Sequence, residues 1–358
     1  MRQLAGNYNR LVVKIGASLL YSEGKKLTLD FLSEITQEVS CLIEEKKEVL
    51  LVSSGAIALG MSILGLKERP RDLPYLQAVA AVGQNELMNV YRRLFKKNER
   101  PCAQILLTWD DFTDRRRYLN AKNTLFKLLN LGTIPIINEN DTVSTDEIRF
   151  GDNDRLCALV ASLISADLLL ILSDVDGLLD KNKRLIRVVE EINAQIKELA
   201  HPSSKITSVG GMLTKIEAAK IAMDSGIPCV IANGRVKNII SYIVREPYTL
   251  GTWFISKGTL SARERWIAFG TRPKGKIIVD DGAKKALVNK KSLLAVGVVG
   301  LEGAFEVGDI VSVLDLERQE IGRGKVGVSN RILDKVKGTR FAKEVIHRDN
   351  IVILKKDT

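Results

Sequence analysis

From Leu11 to about Ser256, short runs of apolar, β-favouring residues alternate with stretches of helical period. Leu11-Val12-Val13-Lys14-Ile15 reads as a strand, followed by a helix from about Thr28 to Glu45. Val49 to Ser53 is the next strand, and Val52-Ser53-Ser54-Gly55-Ala56 reads as strand, tight turn and helix start. Tyr75 to Lys97 is helical, Ala103 to Leu107 strand-like, Leu119 to Asn130 helical, and Ile134 to Ile137 a buried parallel strand. The longest apolar stretch, Leu156 to Leu172, contains Ser162, Ser165 and Asp167, so it reads as a helix plus a buried strand rather than a membrane span. At Gly132-Thr133-Ile134-Pro135 and Gly226-Ile227-Pro228, glycine supplies a left-handed residue after a helix and proline sits at the strand start. This alternation predicts an α/β domain with a mostly parallel sheet covered by helices on both faces.

After Phe254 the rhythm breaks. Ser261 to Trp266 is a charged, short-period connector. From Gly275 onward come short β-rich runs: Lys276 to Asp280, Val296 to Val299, Asp309 to Val313 and Ile351 to Leu354. Their Gly-Asp and Gly-Ala turns predict a small β-barrel. The expected division is an α/β domain over 1–260, a linker over 261–272, and a barrel domain over 273–358.

At 358 residues the chain is long enough for two domains, and its apolar and charged fractions of 45% and 27% are ordinary for a globular protein. The residues Met1 to Asn7 lack the apolar core of a signal peptide, and a cytoplasmic location is expected. Cys41, Cys102, Cys157 and Cys229 lie far apart in apolar contexts, which predicts buried free thiols. His201 and His347 are the only histidines, which argues against a histidine metal site or a Ser-His-Asp triad. The net charge is +11, and residues 271–358 carry 18 Lys and Arg against 12 Asp and Glu. That basic tail permits contact with RNA or an acidic ligand without establishing one, because solvated lysine-rich surfaces are common.

The candidate chemistry gathers in two acidic boxes, Asn138-Glu139-Asn140-Asp141 and Gly151-Asp152-Asn153-Asp154. One follows a buried strand and the other opens a helix, which is where an open parallel sheet binds small polar ligands. The plainer reading is an acidic solvated loop with Asp152 or Asn153 capping the helix. Lys14 lies inside an apolar strand, a costly position unless it projects toward an anion, and Gly16 lets the backbone approach that anion. An edge strand facing water is the other reading of Lys14. Ser53-Ser54-Gly55 presents small residues at a helix start, suited to a carboxylate or phosphate. Val209-Gly210-Gly211-Met212-Leu213-Thr214-Lys215 can wrap phosphates around a point charge, although it lacks the Walker A ending. Ser173 and Asp174 close another strand with groups able to meet a nucleotide. Gly322-Arg323-Gly324-Lys325-Val326-Gly327 matches the GxGxxG dinucleotide pattern, but no strong helix follows it, and it is set aside.

Taken in order, these segments resemble the amino-acid kinase family over essentially the whole chain, and closely its glutamate-specific bacterial branch. The match includes Val13 to Ser18, Ser53 to Ile57, Ala80 to Gln84, Leu107-Thr108, Leu119 to Ala121, Ile137 to Asp141, Gly151 to Asp154 and Gly210 to Lys215. The tail, with Gly275 to Ala283 and Phe305 to Val311, resembles a PUA domain. The resemblance implies ATP-dependent phosphorylation of the side-chain carboxylate of L-glutamate, feeding proline synthesis. Ser54, Gly55, Asp141 and Asn153 would hold glutamate. Lys14, Ser173, Asp174 and Val209 to Lys215 would hold ATP with Mg²⁺, whose protein ligands the sequence does not name. Val209 replaces a usual threonine, and Ser173 stands where threonine is common.

A carboxylate acceptor is already ionised at neutral pH, so no general base is required. Catalysis then comes from alignment and charge stabilisation. Lys14 and Lys215 are assigned to the transferring phosphoryl group, with the Gly16 and Gly55 amides assisting and Asp152 or Asp154 orienting the lysines. The resemblance further implies feedback inhibition by proline, a homo-oligomer (dimer or tetramer) and hand-off of product to glutamyl phosphate reductase. No membrane partner is expected. Two other readings stay open: a kinase for acetylglutamate, aspartate or carbamate, and an RNA-binding protein with an inactive kinase-like domain.

Overall fold

The computed structural model describes residues 8–21, 28–144, 153–200, 211–256, 261–270 and 273–354. Contacts divide the chain into two compact units, residues 1–111 with 115–259, and residues 112–114 with 260–358.

In chain order the first unit opens with β1 (Arg10–Ile15), α1 (Ala17–Leu20), α2 (Leu29–Glu44), β2 (Glu48–Ser53), α3 (Ala56–Ile63) and α4 (Leu73–Lys97). It continues through β3 (Cys102–Leu107), α5 (Trp109–Thr113, whose last two residues group with the second unit), α6 (Arg115–Asn130), β4 (Ile134–Glu139), α7 (Asp154–Ile164) and β5 (Leu168–Ser173). Then come β6 (Val188–Val189), α8 (Ala194–Glu198), α9 (Met212–Asp224), β7 (Cys229–Asn233), α10 (Ile239–Arg245) and β8 (Thr252–Phe254). The sheet order is β3-β4-β2-β1-β5-β7-β8-β6, parallel except where β8 runs against β7. The α/β architecture read from the alternating pattern is thus the observed one.

β1 sits at the centre, paired with β2 on one side and β5 on the other. A strand covered on both faces buries every side chain, which is why β1 and β5 read as continuous apolar runs. Gly132 and Gly226 take positive φ of 67° and 81°, as the helix-ending role requires. Helices α3 and α4 touch backbone to backbone. A Cβ on Gly83 would stand 1.8 Å from the Ala56 carbonyl oxygen, so only glycine permits this crossing. α4 begins at Asp72, whose carboxylate accepts from the Tyr75 N–H at 3.1 Å.

Helix α7 packs against β1, β5 and α9. Every residue in it is buried except Arg155, whose guanidinium lies 3.8 Å from the centre of the Trp109 ring. An apolar helix of this kind belongs inside the molecule. Its first residue, Asp154, is thereby carried to the carboxyl edge of the sheet.

The second unit contains α11 (Ala262–Phe269), β9 (Gly275–Val279), α12 (Asp281–Val288), β10 (Val298–Gly303), β11 (Ile310–Leu314), β12 (Glu320–Lys325), α13 (Asn330–Val336) and β13 (Ile351–Ile353). Its sheet order is β10-β9-β11-β12-β13 around a separate apolar core that includes Ile277, Val311, Val313 and Leu333. The segment Gly322 to Lys325 is part of strand β12, in keeping with setting its glycine pattern aside.

Two expectations need correction. Within the expected linker, residues 262–269 form a helix: Ser261 and Glu264 make a reciprocal capping box that starts α11, and α11 packs on β12 and β13. Among the cysteines, Cys157 and Cys229 are buried free thiols as expected, but Cys41 is exposed and Cys102 half-buried. Cys41 lies on α2, beside rather than within its buried stripe. Among the described residues, no helix is long and apolar enough to cross a membrane.

Candidate active site

Lys14 is the next-to-last residue of the central strand and is almost fully buried, which removes the edge-strand reading. Its Nζ lies 2.6 Å from Asp154 Oδ1. Lys215, in the first turn of α9, places its Nζ 3.0 Å from Asp154 Oδ2. One fully buried carboxylate therefore holds two buried ammonium groups, one on each oxygen. The Thr214 hydroxyl lies 3.0 Å from the same Oδ2 and 2.8 Å from the Gly211 carbonyl, and can donate to one at a time. The three charges sum to one net positive charge in a region of low dielectric. Such a cluster is expensive to bury and gains most from a further anion.

Asn153 occupies the N-cap position of α7 but makes no side-chain cap hydrogen bond. Its carboxamide nitrogen instead lies 2.7 Å from the Ser53 carbonyl, 2.7 Å from Asn138 Oδ1 and 3.2 Å from Ser54 Oγ. Asn138 in turn donates to Gln84 Oε1 on α4 at 2.7 Å. This chain of amides ties the ends of β2 and β4 to the start of α7. Of the plainer reading, with Asp152 or Asn153 capping the helix, the Asn153 side-chain cap is not formed, and Asp152 lies outside the described residues.

Gly55 has φ of +100°, a conformation that favours glycine, and its carbonyl accepts from Tyr21 Oη at 2.7 Å. Ser53 is held from the other side by Tyr91, with its Oγ 2.8 Å from the phenolic oxygen. Asp141 lies in the turn after β4, half-buried. Desolvation pushes its carboxyl up to about 6, against a smaller opposing pull from the Arg69 guanidinium. No hydrogen bond joins Asp141 to Ser54 or Asn153 among the described residues. At the far side of β1, Ser173 Oγ donates to Asp174 Oδ1 at 3.1 Å at the end of β5.

The Gly16 amide is not available as expected. It donates to the Leu172 carbonyl at 3.0 Å, and a Cβ at Gly16 would stand 3.0 Å from that oxygen. Gly16 thus serves close packing of the β1 turn against β5. Asp152, Val209 and Gly210 lie outside the described residues, so the orienting role of Asp152 and the head of the glycine loop have no geometry here. Gly211 is the N-cap of α9, and Met212, Leu213, Thr214 and Lys215 form its first turn.

Gln84, Asn138, Tyr21 and Tyr91 were not singled out as site residues from sequence. Asn138 and Gln84 lie inside the segments that carry the family resemblance, so the sequence holds a signal for them. Tyr21 and Tyr91 carried none, because each reads as an ordinary member of an apolar pattern.

A buried lysine pair on one aspartate, beside the hydrogen-bonded side chains of Ser54, Asn138 and Asn153 at the carboxyl edge of a parallel α/β sheet, suits a phosphotransferase. The family model of the Amino acid kinase family matches residues 9–233, and that of the PUA domain matches residues 275–348. The chain belongs to the amino acid kinase family. It is 44% identical over 366 residues to the glutamate 5-kinase of Thermoanaerobacter sp. (strain X514), covering 97% of this chain and 98% of that protein. It is also 44% identical to the glutamate 5-kinase of Carboxydothermus hydrogenoformans, over 99% of this chain and 100% of the relative. The glutamate 5-kinase of Pelagibacter ubique is likewise 44% identical, over 96% and 97% of the two chains.

Proposed function

We infer that this chain transfers the γ-phosphoryl group of ATP to the side-chain carboxylate of L-glutamate, giving L-glutamyl 5-phosphate and ADP. The observation that carries this reading is the order of groups along the carboxyl edge of the sheet. Asn138, Ser54 and Asn153 gather on the β4–β2 side, Lys14 projects from β1, and Ser173 with Asp174 ends β5. Acceptor and donor would meet over the central strand, where the net positive cluster stands. Near-full-length relatives named for glutamate support the choice of acceptor.

In this reading Ser54 and the Gly55 amide receive the α-carboxylate of glutamate, Asp141 meets its α-ammonium, and Asn153 orients it. Lys14 and Lys215 meet the phosphoryl oxygens. Asp154 sets the two lysines apart and aims them. A carboxylate oxygen of glutamate forms the new O–P bond, the β,γ-bridging P–O bond breaks, and ADP leaves with its electron pair. Mg²⁺ travelling with ATP would neutralise phosphate charge. Such an ion keeps much of its own water and is held largely through the phosphates. Proline shares the α-ammonium and α-carboxylate pattern, so feedback inhibition through Asp141 and Asn153 belongs to the same reading. So do a homo-oligomer, a cytoplasmic reaction and hand-off of the product to a reductase.

The test is an ADP-release assay with ATP and Mg²⁺ across L-glutamate, N-acetylglutamate, aspartate and carbamate. Glutamate should be turned over far better than the others, and equal use of N-acetylglutamate would overturn the reading. That substrate lacks the ammonium that Asp141 is proposed to meet.

The Asp141 carboxyl must be ionised to hold an ammonium, and burial raises it to about 6. The KM for glutamate should therefore climb as pH falls below about 6, and this climb should vanish in Asp141→Asn, whose KM is high throughout. The stability linkage has its own sign: the raised value favours the folded state at low pH, and that contribution is lost as pH rises through about 6. Initial rates between pH 5 and 8 check the first part. A flat wild-type profile would remove Asp141 from ammonium binding.

All residues proposed to hold glutamate or ATP precede Ser256, and α11 packs with the second unit. A chain ending at Ser256 should therefore keep the first sheet and transfer phosphate, whereas ending at Phe269 would strand α11 without its partners. Circular dichroism followed by the ADP assay checks this. A folded, inactive truncation would show that the second unit completes the site.

A further inference from the structure

Beyond the lysine pair, one more cation stands at the nucleotide side of the sheet edge. Arg235 follows β7, two residues beyond Asn233, which is in register with Ser173 of β5. Its backbone is held at several points. Its own N–H donates to Asn233 Oδ1 at 3.0 Å, while Asn233 Nδ2 donates to Asp176 Oδ1 at 2.9 Å. The preceding Gly234 N–H donates to the Ser173 carbonyl at 2.8 Å. A Cβ at Gly234 would stand 2.4 Å from Leu19 Cδ1, so the turn lies tight against α1.

From this turn the side chain reaches across to α1, the helix that follows β1, where one terminal nitrogen donates to the Ser18 carbonyl at 3.1 Å. β5 lies between β7 and β1, so the side chain spans about 10 Å past the end of β5 at Ser173. Arg235 is exposed, and among the described residues it makes no ion pair, although Asp174 and Asp176 follow the neighbouring strand β5. A guanidinium has five N–H donors in a planar fork matched to phosphate, and among the described residues this one donates to a single backbone carbonyl.

We propose that Arg235 binds the non-transferred α- and β-phosphates of the nucleotide. This rests on the phosphotransfer reading above, in which the γ-phosphoryl group lies over β1 between the lysines and the acceptor. The remaining phosphates then trail toward β5 and β7, beneath the tethered guanidinium. Its role is separate from that of Lys14 and Lys215: it holds charge present in both ATP and ADP, so it binds the nucleotide without favouring the transition state.

The experiment measures direct binding of ATP, ADP and adenosine to the full chain, without glutamate, for the wild type, Arg235→Gln and Arg235→Lys. Arg235→Gln should bind ATP and ADP about tenfold or more weakly, by like factors, with adenosine unchanged. Arg235→Lys, which keeps the charge but loses the fork, should fall between. The KM for glutamate should stay the same in every variant. Loss confined to ATP would place the contact on the γ-phosphate and overturn the proposal, as would equal loss for adenosine or no loss at all. Should Arg235→Gln fail to fold, the ADP affinity of Arg235→Lys decides, and wild-type affinity there counts against the proposal. Because these are binding measurements, their outcome is independent of which acceptor the wild type phosphorylates.

Discussion

Replacing Lys215 by alanine is expected to lower kcat by about a hundredfold to a thousandfold while the KM for glutamate moves only a few-fold. The lysine is buried in the first turn of α9 and held 3.0 Å from Asp154. A charge fixed in that way does not have to reorganise as negative charge shifts during transfer, and its effect is largest in the transition state. Glutamate is proposed to be held by a different set of groups, on the β2 and β4 side of Lys14, so its ground-state binding should change little. Arginine would not substitute well, because its broad planar head cannot occupy the place of a compact ammonium against a carboxylate shared with Lys14. Steady-state kinetics with each substrate varied in turn will decide, and a near-normal kcat would remove Lys215 from the mechanism.

Much of this site was legible in the sequence because it breaks local rules. A lysine inside an apolar strand, and two acidic boxes beside buried segments, conflict with a simple core pattern, and such conflicts mark functional positions. Spacing alone does not bring these groups together; the expectation that Asp152 or Asp154 orients Lys14 and Lys215 came with the family resemblance. Lys14, Asp154 and Lys215 meet because α7 packs over β1 and β5 while α9 packs on α7, an outcome of tertiary contact. The same holds for Tyr21, which reaches the Gly55 carbonyl from the end of α1. Gly16 shows the opposite error. Its place beside Lys14 suggested an open amide, but its N–H was already committed to the neighbouring strand.

The tail shows where pattern reading falls short for physical reasons. The β-rich runs near Ile277, Val311 and Val352 were found as β9, β11 and β13. α12 was missed because Asp280-Asp281-Gly282 looks like a turn, whereas Asp280 caps a helix by accepting from the Ala283 N–H at 2.7 Å. α11 was read as a connector for a similar reason. Its charges looked solvated, yet Ser261 and Glu264 are the two halves of a capping box. Short helices carry too little periodicity to stand out, and their caps are the better signal.

Asp154→Ala should be the most damaging single substitution, because it removes the partner of two buried lysines at once. Leaving such charges uncompensated is expected to cost about 3–5 kcal/mol of stability. Activity should disappear with it, since neither ammonium would keep its aim. Loss of activity alone would not separate a chemical role from simple unfolding, so a second variant is needed. In Lys14→Met/Asp154→Leu/Lys215→Met the whole cluster becomes apolar, and replacing buried ionic groups by hydrophobic ones of similar volume is often neutral or stabilising. Urea titration should therefore return this triple variant to within about 1–2 kcal/mol of the wild type, with an unchanged slope. Phosphate transfer should remain undetectable. That pairing of restored stability with lost turnover would establish that the buried charges are kept for chemistry at a cost in stability. A triple variant as unstable as Asp154→Ala would instead make the cluster a structural keystone, and would weaken the case that it exists to receive a phosphate.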